Sequence, residues 1–223
     1  MEEFAKTGIT VTHANVLSDG KEPTVKSVNT DECSSQPCRN QGICQDEENG
    51  YTCTCEDGWT GTHCETALCP SEWFHYGQKC YYQTSYTSWT YAKSYCGSLN
   101  ITLQGGAGSR QASLLLVESQ EETDIIAKEF LGESIRRIWL NCNDLLEEGT
   151  WICEKDASGT VSSYRNWYPG QPDGNGDFAI IVNSTVTAED GMTSYDVRWF
   201  DIGDCYYYFC YIRYARTVCQ VYL

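Results

Sequence analysis

At 223 residues the chain can form one large domain or two smaller ones, and its 14 cysteines, even in number and crowded near the front, favour two. Fifteen Lys and Arg against 31 Asp and Glu leave a formal charge of −16, which disfavours nucleic acid, whose phosphates need cationic side chains to displace counterions, and suits calcium. So many thiols at bridging spacings point to an oxidising compartment, and no apolar run has the length of a membrane span or the layout of a signal region. The expectation is a secreted or extracellular chain, a mature or excised fragment with no membrane span of its own.

Residues 1–28 carry no cysteine and read as a tail or linker. Within it, Ile9 and Val11 alternate with Thr10 and Thr12 as on a strand with one apolar face. A lone strand is unstable in water, so the stretch Thr7 to Leu17 is expected to add to a sheet edge, giving self-assembly if that edge belongs to another copy of the chain.

From Cys33 to Cys64 the spacing is C-x4-C-x5-C-x8-C-x-C-x8-C. Six cysteines allow fifteen pairings, and about 35 residues whose large aromatic groups are Tyr51 and Trp59 cannot bury a sufficient core without bridges. The spacing resembles the EGF-like module, and the resemblance implies the pairs Cys33–Cys44, Cys38–Cys53 and Cys55–Cys64. NTDEC (Asn29 to Cys33) and CQDEENGYTC (Cys44 to Cys53) are similar to the calcium-binding subclass of that module. The similarity implies an ion held by side-chain oxygens of Asn29, Glu32 and Asp46 and by the carbonyls of Thr30 and Glu47. The plain alternative is a solvated acidic face. CSSQPC resembles an O-glucose acceptor at Ser35, and CEDGWTGTHC an O-linked N-acetylglucosamine acceptor at Thr60, while Ile43 stands where an O-fucose acceptor would be.

Four residues separate Cys64 from Cys69, too few for a free linker, so stiff coupling to the next module is expected. That module carries, in order, CPSEWFHYGQKCYY (Cys69 to Tyr82), WTYAKSYC (Trp89 to Cys96), ASLLLVESQEE (Ala112 to Glu122), IWLNCND (Ile138 to Asp144), WYPGQPD (Trp167 to Asp173), WFD (Trp199 to Asp201) and TVCQ (Thr217 to Gln220). Together these resemble the landmarks of the C-type lectin domain family. An EGF-like module running directly into such a domain resembles the carboxy-terminal region of the lectican proteoglycans. The implied fold class is an α+β C-type lectin-like domain with two helices, short-stranded antiparallel sheets and a long loop region, preceded by a small disulfide-rich β module. The expected boundaries are a tail at 1–28, the EGF-like module at 29–65 and the lectin-like domain at 66–223.

The resemblance also implies bridges Cys69–Cys80 and Cys96–Cys219. Ser88 is a good N-cap for a first helix that places Trp89, Ala92 and Cys96 on one face. Ser119 and Glu122 form a capping-box pattern for a second helix through Ile125, Ile126 and Phe130, ended by Gly132. Leu114 to Val117 reads as a buried strand. NITLQGGAGSRQ is an insertion whose glycines lack the lysine of a phosphate loop. The family cysteine that follows the calcium loop is Phe178 here. Cys142 and Cys153 bracket a hairpin and are paired, which leaves Cys205 with Cys210 by elimination.

The candidate site is NWYPGQPDGNGD, Asn166 to Asp177. Gln171 and Asp173 place oxygen ligands either side of Pro172, an arrangement in which the proline bond is often cis, and Asp177 can add a carboxylate. Gln-Pro-Asp resembles the galactose-type calcium and sugar loop of the lectin family, with Asp201 as a further ligand. Two departures weaken that match. Phe200 replaces an amide ligand, and Gly174 stands where an aromatic ring would stack on sugar, leaving Trp167 or Tyr168 as substitutes. The functional expectation is calcium-dependent binding of glycans or glycoproteins in adhesion, against a protein-binding module that ignores sugar or a structural repeat of an extracellular polymer. Asn-Ile-Thr at Asn100 and Asn-Ser-Thr at Asn183 are acceptors for N-linked glycans. Three scattered histidines, His13, His63 and His75, suggest neither a zinc triad nor a catalytic dyad, and no enzyme is expected.

Overall fold

The computed structural model describes residues 31–131, 137–155, 159–187, 193–203 and 215–223. The expectations for the strand at Thr7 to Leu17, for Asn29 and Thr30, for Gly132 and for the Cys205–Cys210 bridge lie outside the described residues. Glu32 to Leu223 form one compact unit.

In the EGF-like part, β1 (Ile43–Glu47) and β2 (Gly50–Thr54) form an antiparallel hairpin with Cys44 opposite Cys53. A second small pair joins β3 (Trp59–Thr60) to β4 (Thr66–Ala67). Bridges Cys33–Cys44, Cys38–Cys53 and Cys55–Cys64 tie these short strands together, as so small a module requires.

The larger part opens with β5 (Phe74–Tyr76) and β6 (Lys79–Thr87), followed by α1 (Trp89–Ser98). The Ser88 side chain accepts the Tyr91 N–H as the N-cap, and Trp89, Ala92 and Cys96 are the buried face of α1. A hairpin of β7 (Asn100–Thr102) and β8 (Ser109–Gln111) precedes β9 (Ser113–Leu114) and α2 (Gln120–Phe130). Then come β10 (Arg137–Asn143), β11 (Ile152–Cys153), β12 (Phe178–Thr187), β13 (Thr193–Ile202) and β14 (Ala215–Tyr222). The main sheet runs β13-β12-β10-β14-β6-β5, with β11 on β10 and β9 on β14. Within it β10 and β14 pair in parallel. Cys96–Cys219 fastens α1 to β14, Cys69–Cys80 fastens the first hairpin, and Cys142–Cys153 joins directly opposed residues of β10 and β11.

Alternation along β12 divides the core into two layers, one on each side of the sheet. Ala179 and Ile181 face the α2 residues Ile126 and Phe130, whereas Phe178 and Ile180 join Trp89, Ala92 and Trp139. Phe178, in the family's cysteine position, stacks on Trp89 at 4.4 Å and meets Trp139 edge-on at 6.5 Å. Ring contact and burial take the place of a covalent tie there.

Two local expectations are corrected. The buried strand expected over Leu114 to Val117 shrinks to Ser113–Leu114, although Leu115, Leu116 and Val117 are fully buried. The cause is a side chain in place of a ladder: Gln220 Oε1 accepts the Leu116 N–H at 3.1 Å, while Leu115 serves Val218 and Asn141. The α2 capping box is also displaced. Ser119 Oγ accepts the Glu122 N–H at 3.0 Å, but Glu122 Oε2 reaches back to the N–H of Glu118 rather than Ser119. The other oxygen of Glu122 accepts from Lys79 Nζ at 2.8 Å and Tyr81 Oη at 2.6 Å, so the cap belongs to a buried ionic cluster.

The two modules meet through small residues. Gly58 adopts φ +84, and a Cβ there would lie 1.8 Å from His75 Nε2. Trp59 meets His75 edge-on at 6.4 Å, and Asp57 accepts from Gln78 at 3.2 Å. The insertion takes part as well: the Gln104 N–H donates to Leu68 O at 2.8 Å, and Gly105 seats the Thr60 methyl.

Removing Glu122 leaves the Lys79 ammonium buried with fewer acceptors, so Glu122→Ala is expected to cost about 3–5 kcal/mol in denaturant unfolding, and the double variant with Lys79→Met much less than the sum. Burial tends to raise the Glu118 carboxyl, but hydrogen bonds from Lys155, Tyr222 and Lys79 outweigh it and bring it down to about 2. A depressed carboxyl stabilises the fold above its unfolded value near about 4.3, and that contribution is lost as pH falls toward the folded one. Unfolding scans between those pH values should show stability falling with acid, and Glu118→Gln should flatten the profile.

Candidate functional site

The loop that leads into β12 is fastened first to β13. Trp199 N–H donates to Asn166 O at 2.8 Å and Tyr168 N–H to Trp199 O at 2.9 Å, forming a short parallel bridge. Asn166 is buried, donating to Val197 O at 3.1 Å and accepting from Arg198 at 2.7 Å. Below the loop Trp151, Trp167 and Trp199 meet edge-on, with centroids 4.7 and 5.6 Å apart, which makes Trp167 a scaffold residue.

A turn from Tyr168 O to the Gln171 N–H, at 2.8 Å, delivers the cis Gln171–Pro172 bond. Gln171, Asp173 and Asp201 then gather in one network. Asp201 N–H donates to Gln171 Oε1 at 2.9 Å, and Gln171 Nε2 donates to Asp173 Oδ2 at 3.1 Å. Asp201 Oδ2 accepts three successive backbone N–H groups, from Asp173 at 3.1 Å, Gly174 at 2.9 Å and Asn175 at 3.2 Å. Hydrogen bonding from Asn175, chiefly its side chain, holds the Asp173 carboxyl below the usual carboxylate range. Asp201 Oδ1 is buried without a hydrogen-bond partner among the described residues. An unsatisfied buried carboxylate oxygen calls for water or a cation.

Asp177 joins a different group. Its carbonyl accepts the Asp144 N–H at 3.2 Å. Asp144 is 3% exposed; its Oδ2 accepts from the Gly149 N–H at 2.8 Å and its Oδ1 is a second buried oxygen with no hydrogen-bond partner among the described residues. Glu148, in the same turn, reaches the loop: its Oε1 lies 3.3 Å from where a Cβ on Gly174 would be. Sequence reasoning missed Asp144 and Glu148 as site residues. The only signal was three acids, Asp144, Glu147 and Glu148, in the turn after IWLNCN, with nothing to show that this turn meets the Gln-Pro-Asp loop. Phe200 supplies no oxygen and stacks on Tyr168 at 5.0 Å.

In the EGF-like part, Asp46 Oδ1 accepts the Glu32 N–H at 3.3 Å, which brings those two expected ligands together. The Glu47 carboxylate accepts from Thr52 at 2.6 Å, so its side chain serves the hairpin. Of the acceptor residues, Asn100 is exposed at the start of β7 and Asn183 is half-buried in β12 with its Oδ1 buried. Ser35 is exposed with its hydroxyl donating to Glu32 O, and Thr60 is half-buried against Gly105.

Comparison with known proteins agrees with this architecture. The Lectin C-type domain family matches residues 85–212 and the EGF-like domain family residues 33–63. The chain belongs to the C-type lectin domain family, with an EGF-like domain before the lectin domain. It is similar to the mouse low affinity immunoglobulin epsilon Fc receptor, 30% identical over 145 residues that make up 62% of this chain and 38% of the receptor. It also resembles the protocadherin-like wing polarity protein stan of Drosophila melanogaster, 42% identical over 69 residues, 29% of this chain and 2% of that protein. The matches thus span well under two thirds of either relative. Among solved structures, a mutant of the C-type lectin CEL-I from Cucumaria echinata overlays with a TM-score of 0.51 at 20% identity, covering 70% of this chain and 97% of that one, a likeness of fold.

Asp201→Ala removes the acceptor shared by three amides. Hydrogen exchange at Asp173 and Gly174 should quicken by about tenfold or more, and less at Asn175, whose N–H also donates to Asp173 Oδ1 at 3.1 Å, while amides of β10 and β14 keep their protection.

Proposed function

We propose that the chain is an extracellular, non-enzymatic binding module that takes glycans or glycoproteins in a calcium-dependent, galactose-type manner at the Gln171, Asp173 and Asp201 network. The observation that carries this reading is the unpartnered, buried Oδ1 of Asp201 beside two further oxygen-bearing side chains already drawn together. The donor set is all hard oxygen and fits calcium, with Asp201, Asp173 and Gln171 as ligands and Asp144, Glu148 and Asp177 as a neighbouring acidic group. Bound calcium would take up two vicinal sugar hydroxyls. Gln171 and Asp173 orient those hydroxyls by hydrogen bonds, and the Asp201 carboxylate, held by three N–H groups, keeps the loop in shape.

A second reading, protein recognition without sugar, is favoured by the loss of an amide ligand at Phe200 and by Leu145 and Leu146, the latter 85% exposed in the turn that flanks the loop. The third reading, a polymer repeat, has only the sequence of the tail behind it. For the EGF-like module, residues 29–65, we propose a separate calcium held by Asn29, Thr30, Glu32, Asp46 and Glu47, with the lectin domain at 66–223. N-linked glycan is proposed at Asn100, and at Asn183 to a lesser extent because of its burial; O-linked sugar is proposed at Ser35, and at Thr60 where its hydroxyl can be reached.

A glycan array probed with and without chelator tests the main reading. Binding of galactose-terminated glycans that chelation abolishes is expected, and Asp173→Ala should weaken it by about tenfold or more. Binding to no glycan under either condition favours the protein-recognition reading. In calcium titrations of the whole chain, Asp46→Ala should weaken one ion by about tenfold or more and leave the lectin-domain ion unchanged. Intact-mass analysis of chain secreted from animal cells should show glycan at Asn100.

A further inference from the structure

The loop that carries the polar network also carries a reactive pair. The sequence holds two Asn-Gly steps, Asn49–Gly50 and Asn175–Gly176. Asparagine before glycine is open to attack by the next backbone nitrogen on its side-chain carbonyl, because glycine has no side chain to block the approach. Asn49–Gly50 closes the β1–β2 hairpin, and a Cβ at Gly50 would meet nothing. Gly176 differs: it is buried, and a Cβ there would run into the backbone of Ile202 and Gly203, so glycine is obligatory behind Asn175. Asn175 itself is exposed. Its N–H is shared between Asp173 Oδ1 at 3.1 Å and Asp201 Oδ2 at 3.2 Å, and its side chain donates to the Asp173 carboxylate. Attack needs the reacting atoms aligned at about 3–3.5 Å. Both partners are held elsewhere, the side-chain amide by Asp173 and the nitrogen by the seat of Gly176 on Ile202 and Gly203. The contacts that shape the site therefore also keep the pair from reacting.

We infer that Asn175 is a deamidation site gated by the Asp201 network, reacting when the loop opens and protected while it is closed. The Gly176 nitrogen bonds to the side-chain carbonyl carbon of Asn175, and its proton departs with the amide nitrogen as ammonia. Water then opens the resulting cyclic imide at one carbonyl or the other, leaving aspartate or isoaspartate at position 175. Either product prevents the loop from closing as before. Aspartate turns the donor to Asp173 into a carboxylate that faces Asp173 and Asp201, a contact of like charges. Isoaspartate adds a methylene to the main chain ahead of Gly176, whose seat against Ile202 and Gly203 has no space for a shifted backbone. A brief, reversible opening is thus converted into a permanent change in the site. The inference stands on the loop's own hydrogen bonds, whatever the loop binds.

The test ages the whole chain at neutral pH with chelator present and reads positions 49 and 175 by peptide mass and by isoaspartate-specific labelling. Conversion at position 175 should be slower by about tenfold or more in the folded chain than in concentrated guanidinium chloride. Asp201→Ala should raise the folded rate by about tenfold or more, while position 49 keeps its own rate. Converted chain, separated by charge, should show quickened hydrogen exchange at Asp173 and Gly174 with unchanged protection in β10 and β14. The comparison with denaturant needs no variant and so stands even where Asp201→Ala fails to fold. A folded rate equal to that in denaturant, or a folded Asp201→Ala chain that converts no faster than the unmutated one, overturns the gating. No conversion at position 175 in denaturant overturns the site itself, and converted chain with unaltered exchange at Asp173 and Gly174 overturns its effect on the loop.

Discussion

The structure depends on bringing a late strand into the middle of the sheet. β14 pairs with β10 on one side and β6 on the other, accepts β9, and is bridged by Cys219 to Cys96 in α1, 123 residues earlier in sequence. Closing so long a loop is slow and entropically costly, and the bridge limits that cost by restricting the unfolded chain. Once β14 is in place, Gln220 holds the irregular backbone at Leu116, and Val218 holds Leu115, so the segment ahead of α2 can be buried without being a full strand. The Lys79, Glu118 and Glu122 cluster forms beside it, with Tyr222 of β14 donating to Glu118 at 2.7 Å.

What was legible in the sequence was local or carried by spacing. Ser88 and Ser119 announce helix starts because a cap acts within one turn, and Trp89, Ala92 and Cys96 announce a buried face through their helical spacing. Cysteine spacings likewise carried the layout of the small module. The likeness to the lectin family supplied the loop around Gln171. The remainder depended on contacts between distant residues. Nothing near Glu122 shows that its carboxylate meets Lys79, 43 positions earlier, and nothing near Asp177 shows that it meets the Asp144 turn. Phe178 is similar: a missing cysteine is visible in sequence, but the two tryptophans that receive the substituted ring come from α1 and β10.

The candidate site shows how a departure from a family pattern can be compensated nearby. Phe200 removes an oxygen from the set around Gln171 and Asp173, while Asp201 remains fixed by the N–H groups of Asp173, Gly174 and Asn175. The loop is thereby shaped by a carboxylate of its own chain, and its conformation does not depend entirely on a bound ion. Preorganisation of this kind lowers the entropy lost when a ligand arrives.

The Leu223 N–H donates to Gln78 O at 2.9 Å, so the residue after β14 lies at the hairpin that carries Cys80 and, through it, Cys69. A pulling force applied between the EGF-like module and Leu223 would therefore enter and leave at the same end of the β6–β14 pair and peel it open like a zip. Peeling runs from Tyr222 opposite Lys79, through Val221 opposite Cys80, to Cys219 opposite Tyr82, where the bridge to Cys96 passes the load on to α1. The covalent path then runs through residues 80–96 and that bridge, so β12, β13 and the loop they support lie outside the line of tension.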